Sequence, residues 1–295
     1  MKPHALRNPF IHGWCALALS LAIAVMGGCV PNTRYLSSGA LKGKLNATYA
    51  EQSPLAWSET VAGVKTCMDT DEKVVALTLD ACGSLHGMGF DSELIRYLEK
   101  EEIPATLFIN ARWIDGNPKH FMALAKNPLF TIANHGFLHK PASINGRSIY
   151  GIKGTGNLDD LIDEIGLNAD KIKRLTGKRP TYYRSGTAYY DEMAVQIAER
   201  LGHQVIGFSV LGDAGATYTE QQVNAALMAS VPGSIVILHM NHPESGTANG
   251  VMAAVPELRK RGFRFVRLAD YPLRQGRIDQ GSQPFPLGEP AVVPR

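Results

Sequence analysis

The sequence predicts an α/β fold in which about seven parallel strands form a distorted β/α barrel. Short apolar segments alternate with amphipathic helical segments along the chain, and no strong hairpin turn joins consecutive strands. Such alternation at this length gives parallel strands in a barrel or a doubly wound sheet. No GxGxxG or Walker loop follows any strand, which counts against a nucleotide-binding sheet.

The predicted elements follow in order along the chain. Residues 73–80 (KVVALTLD) form the first strand, because six consecutive residues from Val74 to Leu79 suit a strand buried on both faces. Asp91 precedes a helix that runs through Lys100. The remaining strands are PATLFIN, LFTIAN, TYYR, QVIGFS, GSIVILH and FRFVRL. The helices between them are a short one near 118–126, NLDDLIDEIGLNADKIKRLTG ending at Gly177, DEMAVQIAERLG, TEQQVNAALMAS and VMAAVPELRKRG.

The N-terminus has the layout of a secretory signal. Lys2 and Arg7 precede the apolar stretch WCALALSLAIAVM, and small residues lead to Cys29. This resembles the bacterial lipoprotein signal, which implies cleavage after residue 28 and a lipid on Cys29. The alternatives are an ordinary signal peptide and an N-terminal anchor helix. We therefore expect an exported, periplasmic lipoprotein of a bacterial cell envelope that touches the membrane through its N-terminal lipid only.

Four segments are predicted. Residues 1–28 are the signal peptide, 29–66 a tether and N-terminal segment, 67–272 the barrel, and 273–295 a Pro/Gly-rich tail. Removing the signal takes away two basic residues and no acidic ones, so the formal charge falls from +3 to +1. No Lys/Arg-rich block remains, and nucleic-acid binding is not supported.

Chemically versatile side chains follow the predicted strands. Asp80 ends the first strand, and His135 and His139 follow the third. Three more follow later strands: Arg184, Asp213 and His239. The C-terminal ends of parallel barrel strands open onto one face, where catalytic residues gather. The shared position of these residues indicates an active site.

His135 and His139 form the most specific pair. Residues four apart on a helical turn lie on one face, so both imidazoles can reach one metal ion. Gly136 and Pro141 place the pair in a loop or single turn after a strand, which favours a site over a surface helix. Zinc suits imidazole ligands and keeps an open position for water in catalytic sites.

These motifs resemble the polysaccharide deacetylases of the NodB-homology type, carbohydrate esterase family 4. The resemblance spans about residues 73–271. TLDACG stands where the family usually has T-F-D-D-G, and HGFLH matches the H-x-x-x-H metal motif with Gly136 in place of Ser or Thr. YRSG resembles the arginine motif without its proline and aromatic residue. VILH matches the closing histidine motif, and Thr247 follows it.

The resemblance implies a hydrolase that removes N- or O-acetyl groups from a polysaccharide with a divalent metal, of which zinc fits best. Asp80 would be the general base, and the metal ligands would be His135, His139 and Asp80 itself. Arg184 would hold Asp80, and His239 would be the general acid. The tyrosines near the fourth strand would stack on sugar rings or simply pack: Tyr183, Tyr189 and Tyr190.

One motif departs from the family pattern. The second aspartate, usually the third metal ligand, is replaced by Ala81 or Cys82, depending on the gap. Three alternatives follow: Cys82 is a thiolate ligand; Asp80 binds the metal and Asp213 or His242 becomes the base; or water fills the position. The preferred interpretation of Cys82 is a disulfide with Cys67, since export permits pairing and no other cysteine remains after the lipidated Cys29.

Two other functions compete with deacetylation of a polymer. One is a metal-dependent amidohydrolase acting on a small amide, since barrels support many chemistries. The other is a lipid-anchored carbohydrate-binding module that has lost turnover through its altered first motif. A closed pocket would favour the first, and absence of metal from the purified protein the second.

Overall fold

The computed structural model describes residues 38–49 and 51–276. The predicted signal at 1–28, the predicted lipid acceptor Cys29 and the tail beyond residue 276 lie outside the described residues, and these assignments stay predictions. Within the described ranges no helix is both long and apolar enough to span a membrane.

Eight α-helices and twelve strands make up the described part of the chain. The helices are α1 Ser38–Tyr49, α2 Ser92–Lys100, α3 Ala111–Gly116, α4 Pro118–Lys126, α5 Leu158–Thr176, α6 Glu192–Arg200, α7 Glu220–Met228 and α8 Thr247–Lys260. The strands are β1 Cys67–Met68, β2 Val74–Ala81, β3 Ala105–Ile109, β4 Phe130–Asn134, β5 Ser148–Ile149, β6 Ile152–Lys153, β7 Tyr182–Tyr183, β8 Gln204–Val205, β9 Val210–Leu211, β10 Ser234–His239, β11 Arg264–Phe265 and β12 Leu273–Arg274.

Ten strands form one curled, mainly parallel sheet. Its order is β12-β1-β10-β2-β3-β4-β7-β8, with β9 on β10 and β11 on the start of β2. Only the pairs made by β1 are antiparallel. A single bridge between Lys65 and Ile206 links the segment before β1 to the end of β8. The sheet therefore closes only loosely, and the predicted distorted β/α barrel is confirmed.

The alternation of side chains along β2 decides which residues enter the barrel. Val75, Leu77 and Leu79 pack outward in the core that includes helices α2 and α8, whereas Val74 and Ala76 belong to a second core cluster, which also holds Phe108 and Ile206. Side chains two residues apart point to the same face of a strand. Asp80 thus shares the inward face of Val74 and Ala76, which explains why an apolar strand delivers a carboxylate at its tip.

The predicted elements match the structure closely. All seven predicted strands are present, and the predicted helix caps are confirmed: Asp91 accepts hydrogen bonds from two backbone amides of α2, and Gly177 ends α5 at φ +78°. The sequence did not predict the hairpin of β5 and β6, nor β1, β9 and β12. Each of these is two residues long, but so are the predicted β7, β8 and β11, so strand length alone does not explain the difference.

The predicted tether differs in its described part. Residues 38–49 form α1, and Leu45 and Tyr49 are buried against residues of α5 and α6. The segment from 51 onward also joins the body, since Ser58 pairs with Tyr190. Because this segment contains few apolar residues, the sequence did not indicate that Leu45 and Tyr49 anchor it to the body. At the other end, β12 belongs to the sheet although it falls in the predicted tail.

Candidate active site

Asp80 and His239 lie side by side at the ends of two central strands. β2 and β10 pair in parallel, and the register places the Cα atom of His239 opposite that of Asp80. His239 shares the inward face of Ile235, which lines the barrel interior. Both side chains therefore point into the same end of the barrel, as the sequence predicted.

Arg184 anchors Asp80 from inside the barrel. Its Nη1 donates to Asp80 Oδ1 at 2.8 Å and to Thr78 Oγ1 at 2.9 Å. The remaining donors bind the backbone oxygens of Ile206 and Gly207, at 3.1 and 2.9 Å. The guanidinium is fully buried and lies 4.2 Å from the ring centre of Phe108. With its charge paired and its donors satisfied, Arg184 fixes the carboxylate in one orientation.

Asp213 holds His239 in the same way. Its Oδ1 lies 2.8 Å from His239 Nδ1, and its Oδ2 accepts from the backbone amide of His239 at 2.7 Å and from Thr247 Oγ1 at 3.0 Å. Burial alone would lower the pKa of His239, but the Asp213 carboxylate outweighs it and raises that pKa well above its usual value. The second ring nitrogen, Nε2, is left free of Asp213 for other chemistry.

The loop after β4 carries the two predicted metal-binding histidines. His135 is buried, with Nδ1 3.0 Å from the backbone oxygen of Arg184 and Nε2 3.6 Å from Asp80 Oδ2. His139 adopts a left-handed conformation at φ +63°, and its buried Nε2 has no hydrogen-bond partner among the described residues. The two rings meet edge to face with centres 4.8 Å apart. A buried histidine nitrogen that has no hydrogen-bond partner is available to bind a metal ion.

Glu164, on α5, shapes this loop and was not predicted as a site residue. Its buried carboxylate accepts from the amides of Leu138, at 2.8 and 3.0 Å, and Lys140, at 3.1 Å. The Glu164 carboxylate also occupies the space that a Cβ atom on residue 136 would need. This explains why the chain has glycine at a position where the family that it resembles usually has Ser or Thr. Burial raises the pKa of Glu164, and the two backbone amides oppose that rise.

Three asparagines complete the support of the histidine loop. Asn110 donates to the backbone oxygens of His135 and Gly136, at 3.0 and 2.7 Å. Asn134 Oδ1 accepts from Gly136 N at 3.0 Å and from Asn168 at 2.8 Å. The sequence held one indication of this network: Glu164 and Asn168 are polar residues on the otherwise apolar stripe of α5.

Gly136→Ser is expected to destabilise the fold. The left-handed φ of +75° costs a non-glycine residue about 1–2 kcal/mol, and the new Cβ would meet the Glu164 carboxylate. We expect the melting temperature to fall by roughly 4 °C or more. Gly166→Ser is the matched control. Gly166 lies on α5, the helix that carries Glu164, and a Cβ atom added there meets no atom within 4 Å. A Gly136→Ser protein that melts like the wild type would contradict this account of the loop.

Cys82 lies among the histidines. Its Sγ is 3.8 Å from His135 Nε2, and one ligand atom each from Cys82, His135 and His139 lie within 4.8 Å of one another. Burial would raise the pKa of the Cys82 thiol, but His139, His135 and His239 together lower it well below its usual value. In a tetrahedral zinc site, sulfur and nitrogen ligands stand about 3.5 Å apart, close to the observed spacing. The three side chains therefore fit a zinc ion, whereas Asp80 borders this group only at His135.

The predicted disulfide between Cys67 and Cys82 is wrong. Both cysteines are free. Cys67 pairs with Ser234, which lies opposite Val75 at the start of β2, and Cys82 follows the end of that strand. Cys67 is therefore level with Val75, and Cys82 lies seven residues further along the direction of β2, roughly 20 Å away. A disulfide needs Cα atoms within about 7 Å. The sequence could show that two cysteines were available but not that they lie at opposite ends of the barrel.

The remaining predicted residues are the three tyrosines near the fourth predicted strand and His242. Tyr183 and Tyr190 are fully buried, which leaves them no face for a sugar ring, and only Tyr189 of the three is partly exposed. His242, an alternative base, lies in the loop after β10 with its Nδ1 2.9 Å from exposed Glu244.

Comparisons with known proteins agree with this geometry. Residues 68–206 match the family model described as polysaccharide deacetylase. A peptidoglycan-N-acetylglucosamine deacetylase of Bacillus cereus is 24% identical over 204 residues, which cover 68% of this chain and 88% of that protein. The solved structure of Bacillus subtilis PdaA, a family 4 carbohydrate esterase, has a TM-score of 0.59 at 20% identity, covering 78% of this chain and 87% of that one.

Another solved structure with the same fold is that of a pseudoenzyme. It is a CE4 family pseudoenzyme from Bacillus anthracis, with a TM-score of 0.56 at 19% identity, covering 68% of this chain and 66% of that one. At such identities these structural likenesses show the fold alone.

Proposed function

The chain belongs to the polysaccharide deacetylase family, a class of hydrolases that act on carbon–nitrogen bonds, and on that premise we propose that it removes acetyl groups from an exported or cell-envelope polysaccharide with the help of a divalent metal. The observation that carries the proposal is the meeting of three units in one end of the barrel. These are the Asp80–Arg184 pair, the His239–Asp213 pair and the group of Cys82, His135 and His139.

Cys82, His135 and His139 hold the metal in this proposal. Thiolate and imidazole are ligands that zinc favours, and the lowered pKa of Cys82 supplies the thiolate. The metal, when bound, supplies Lewis-acid activation of the acetyl carbonyl and of water. The replaced second aspartate is then a change of ligand type rather than a loss of the site.

Asp80 and His239 move the protons. The Asp80 carboxylate takes a proton from the attacking water, and the hydrogen bond from Arg184 holds it in one orientation. His239 donates a proton to the leaving nitrogen or oxygen, because Asp213 binds Nδ1 and stabilises the imidazolium. Asp80 and His239 lie opposite each other on adjacent strands, which supports a shared reacting centre for base and acid.

Metal content and acetate release, measured together, test the proposal. The purified chain is loaded with zinc and supplied with acetylated glycans, including N-acetylglucosamine oligomers, peptidoglycan and O-acetylated polymers. We expect acetate release that chelation abolishes and zinc restores. Release that chelation leaves unchanged would remove the metal from the proposal.

A binding module without turnover is the second candidate, favoured by the absence of the second aspartate. It predicts glycan binding with no acetate release at any zinc concentration. The same panel of glycans, assayed for both binding and acetate, separates the two functions.

Asp213→Asn should move the alkaline limb of the pH–rate profile to lower pH. The Asp213 carboxylate raises the pKa of His239, so His239 stays protonated to higher pH in the wild type and loses its proton earlier in the variant. The measurement is kcat/KM for acetate release across the alkaline range. His242→Ala is the control, since His242 pairs with Glu244 instead, and its alkaline limb should not move. An unmoved limb in Asp213→Asn would remove His239 from the acid role.

A further inference from the structure

Beside the candidate active site, three aromatic rings form a cluster, and a carboxylate lies next to two of them. Tyr189 is the central ring: its centre lies 5.7 Å from that of Trp57 and 5.7 Å from that of Tyr150. The Tyr150 hydroxyl faces the Glu59 carboxylate. Tyr150 is 50% exposed, and the other three side chains are partly exposed, so solvent reaches the group.

The group lies on the face of the barrel that carries the active site. Tyr189 belongs to the loop after β7, five residues beyond Arg184, and Tyr150 to the hairpin inserted after β4 and the histidine loop. Gly186, between Arg184 and Tyr189, packs directly against the backbone of His139. The rings therefore belong to loops on the same face as the active site, next to the histidine loop.

The segment that carries Trp57 and Glu59 is held in place. The amides of Leu55 and Ala56 donate to the Glu192 carboxylate at 2.6 and 2.9 Å, and Arg147 binds the backbone oxygen of Ala56 at 3.0 Å. Ser58 pairs with Tyr190 through two backbone hydrogen bonds of 3.1 Å. Trp57 and Glu59 flank Ser58, so their positions are set before any ligand arrives.

Among the described residues no Lys, Arg or His forms an ion pair with the Glu59 carboxylate, although the side chain is partly buried. Burial raises its pKa to about 7, and the Tyr150 hydroxyl only partly opposes this. A shielded carboxylate costs free energy unless a cation or hydrogen bonds compensate it. Aromatic faces attract cations as well, and rings around an ammonium group are a known recognition mode.

We propose that Trp57, Glu59, Tyr150 and Tyr189 form a subsite that binds the ammonium group of an already deacetylated sugar unit. The proposal rests on the proposed function acting on N-acetyl groups, since each turnover then leaves an amine on the polymer. A neutral acetylated sugar would stack on the rings but leave Glu59 without a counter-charge. The subsite would favour chains that already carry free amines near the next acetyl group.

Calorimetric titration of two oligomers tests the subsite. A glucosamine tetramer carries no acetyl group and is not consumed, so the wild-type zinc-loaded chain can be titrated with it directly. The N-acetylated tetramer is titrated into the same proteins carrying Asp80→Asn. We expect Glu59→Gln and Trp57→Ala to bind the glucosamine tetramer about tenfold more weakly, and to bind the acetylated tetramer within about twofold of the parent.

Controls separate binding from folding. Leu55→Ala changes a neighbouring side chain that is 91% exposed and should leave both affinities unchanged. Tyr150→Phe keeps the ring and should retain most of the affinity, and melting temperatures check that every variant folds.

The outcomes decide the proposal in either direction. Unchanged glucosamine binding in both Glu59→Gln and Trp57→Ala would overturn it. Equal weakening of both tetramers would also overturn it, in favour of a subsite for neutral sugars. Acetate release without glucosamine binding would refute the subsite alone, whereas glucosamine binding through Glu59 without acetate release would refute the proposed function alone.

Discussion

Asp80→Asn is expected to lower kcat/KM by about 10²–10⁴-fold, the range that a positioned general base contributes. The amide keeps the shape of the side chain and can still accept from Arg184, but it cannot take a proton from water. The buried guanidinium also loses its counter-charge, so we expect unfolding to become easier by up to about 3 kcal/mol. Acetate release and thermal melting measure the two effects.

Zinc stoichiometry in the same variant separates two roles of Asp80. Because Oδ1 accepts from Arg184, and Cys82, His135 and His139 form a group of possible ligands without Asp80, we expect Asp80→Asn to keep its zinc. Loss of zinc would make Asp80 a ligand, which the sequence also predicted. Asp115→Asn is the control for a surface carboxylate, since Asp115 pairs with Lys171 and its side chain is 69% exposed. Full turnover in Asp80→Asn would end the assignment of Asp80 as the base.

Cys82→Ser is expected to weaken zinc binding about a hundredfold. Four-ligand zinc sites are worth about 10–16 kcal/mol, which is roughly 3 kcal/mol for each ligand. The serine hydroxyl stays protonated and does not replace a thiolate among His135 and His139. Competition with a chromogenic chelator gives the affinity, and acetate release at limiting zinc should fall in parallel.

Two further cysteine variants sharpen this test. Cys67→Ser removes the other free thiol of the described residues, which lies at the opposite end of the barrel, and should leave zinc affinity unchanged. Cys82→Asp restores the carboxylate that the family usually carries near this position and should retain zinc better than Cys82→Ser. Full zinc affinity in Cys82→Ser would show that the thiol is not a ligand.

Local sequence determined seven of the strands, most of the helices between them and the face on which the site lies. The unbroken apolar run before Asp80 predicts a strand buried on both faces, and β2 is that strand. Parallel β/α order then places Asp80, His135, Arg184 and His239 at one end of the barrel without any knowledge of distances. These features depend on residues near one another in the chain, so a pattern in the sequence is enough to predict them.

The partners of each side chain were decided only by the tertiary structure. The spacing of Cys67 and Cys82 allowed a disulfide, but the register of β1 on β10 sets them at opposite ends of the barrel. Cys82 instead joins His135 and His139, and Glu164 reaches the histidine loop from a helix 25 residues further along the chain from His139. Segment 51–60, predicted as part of a tether, brings Trp57 and Glu59 beside Tyr189. Contacts between distant segments depend on sheet register and helix packing, which no local period encodes; they decide which ligands, counter-charges and subsites this chain can offer.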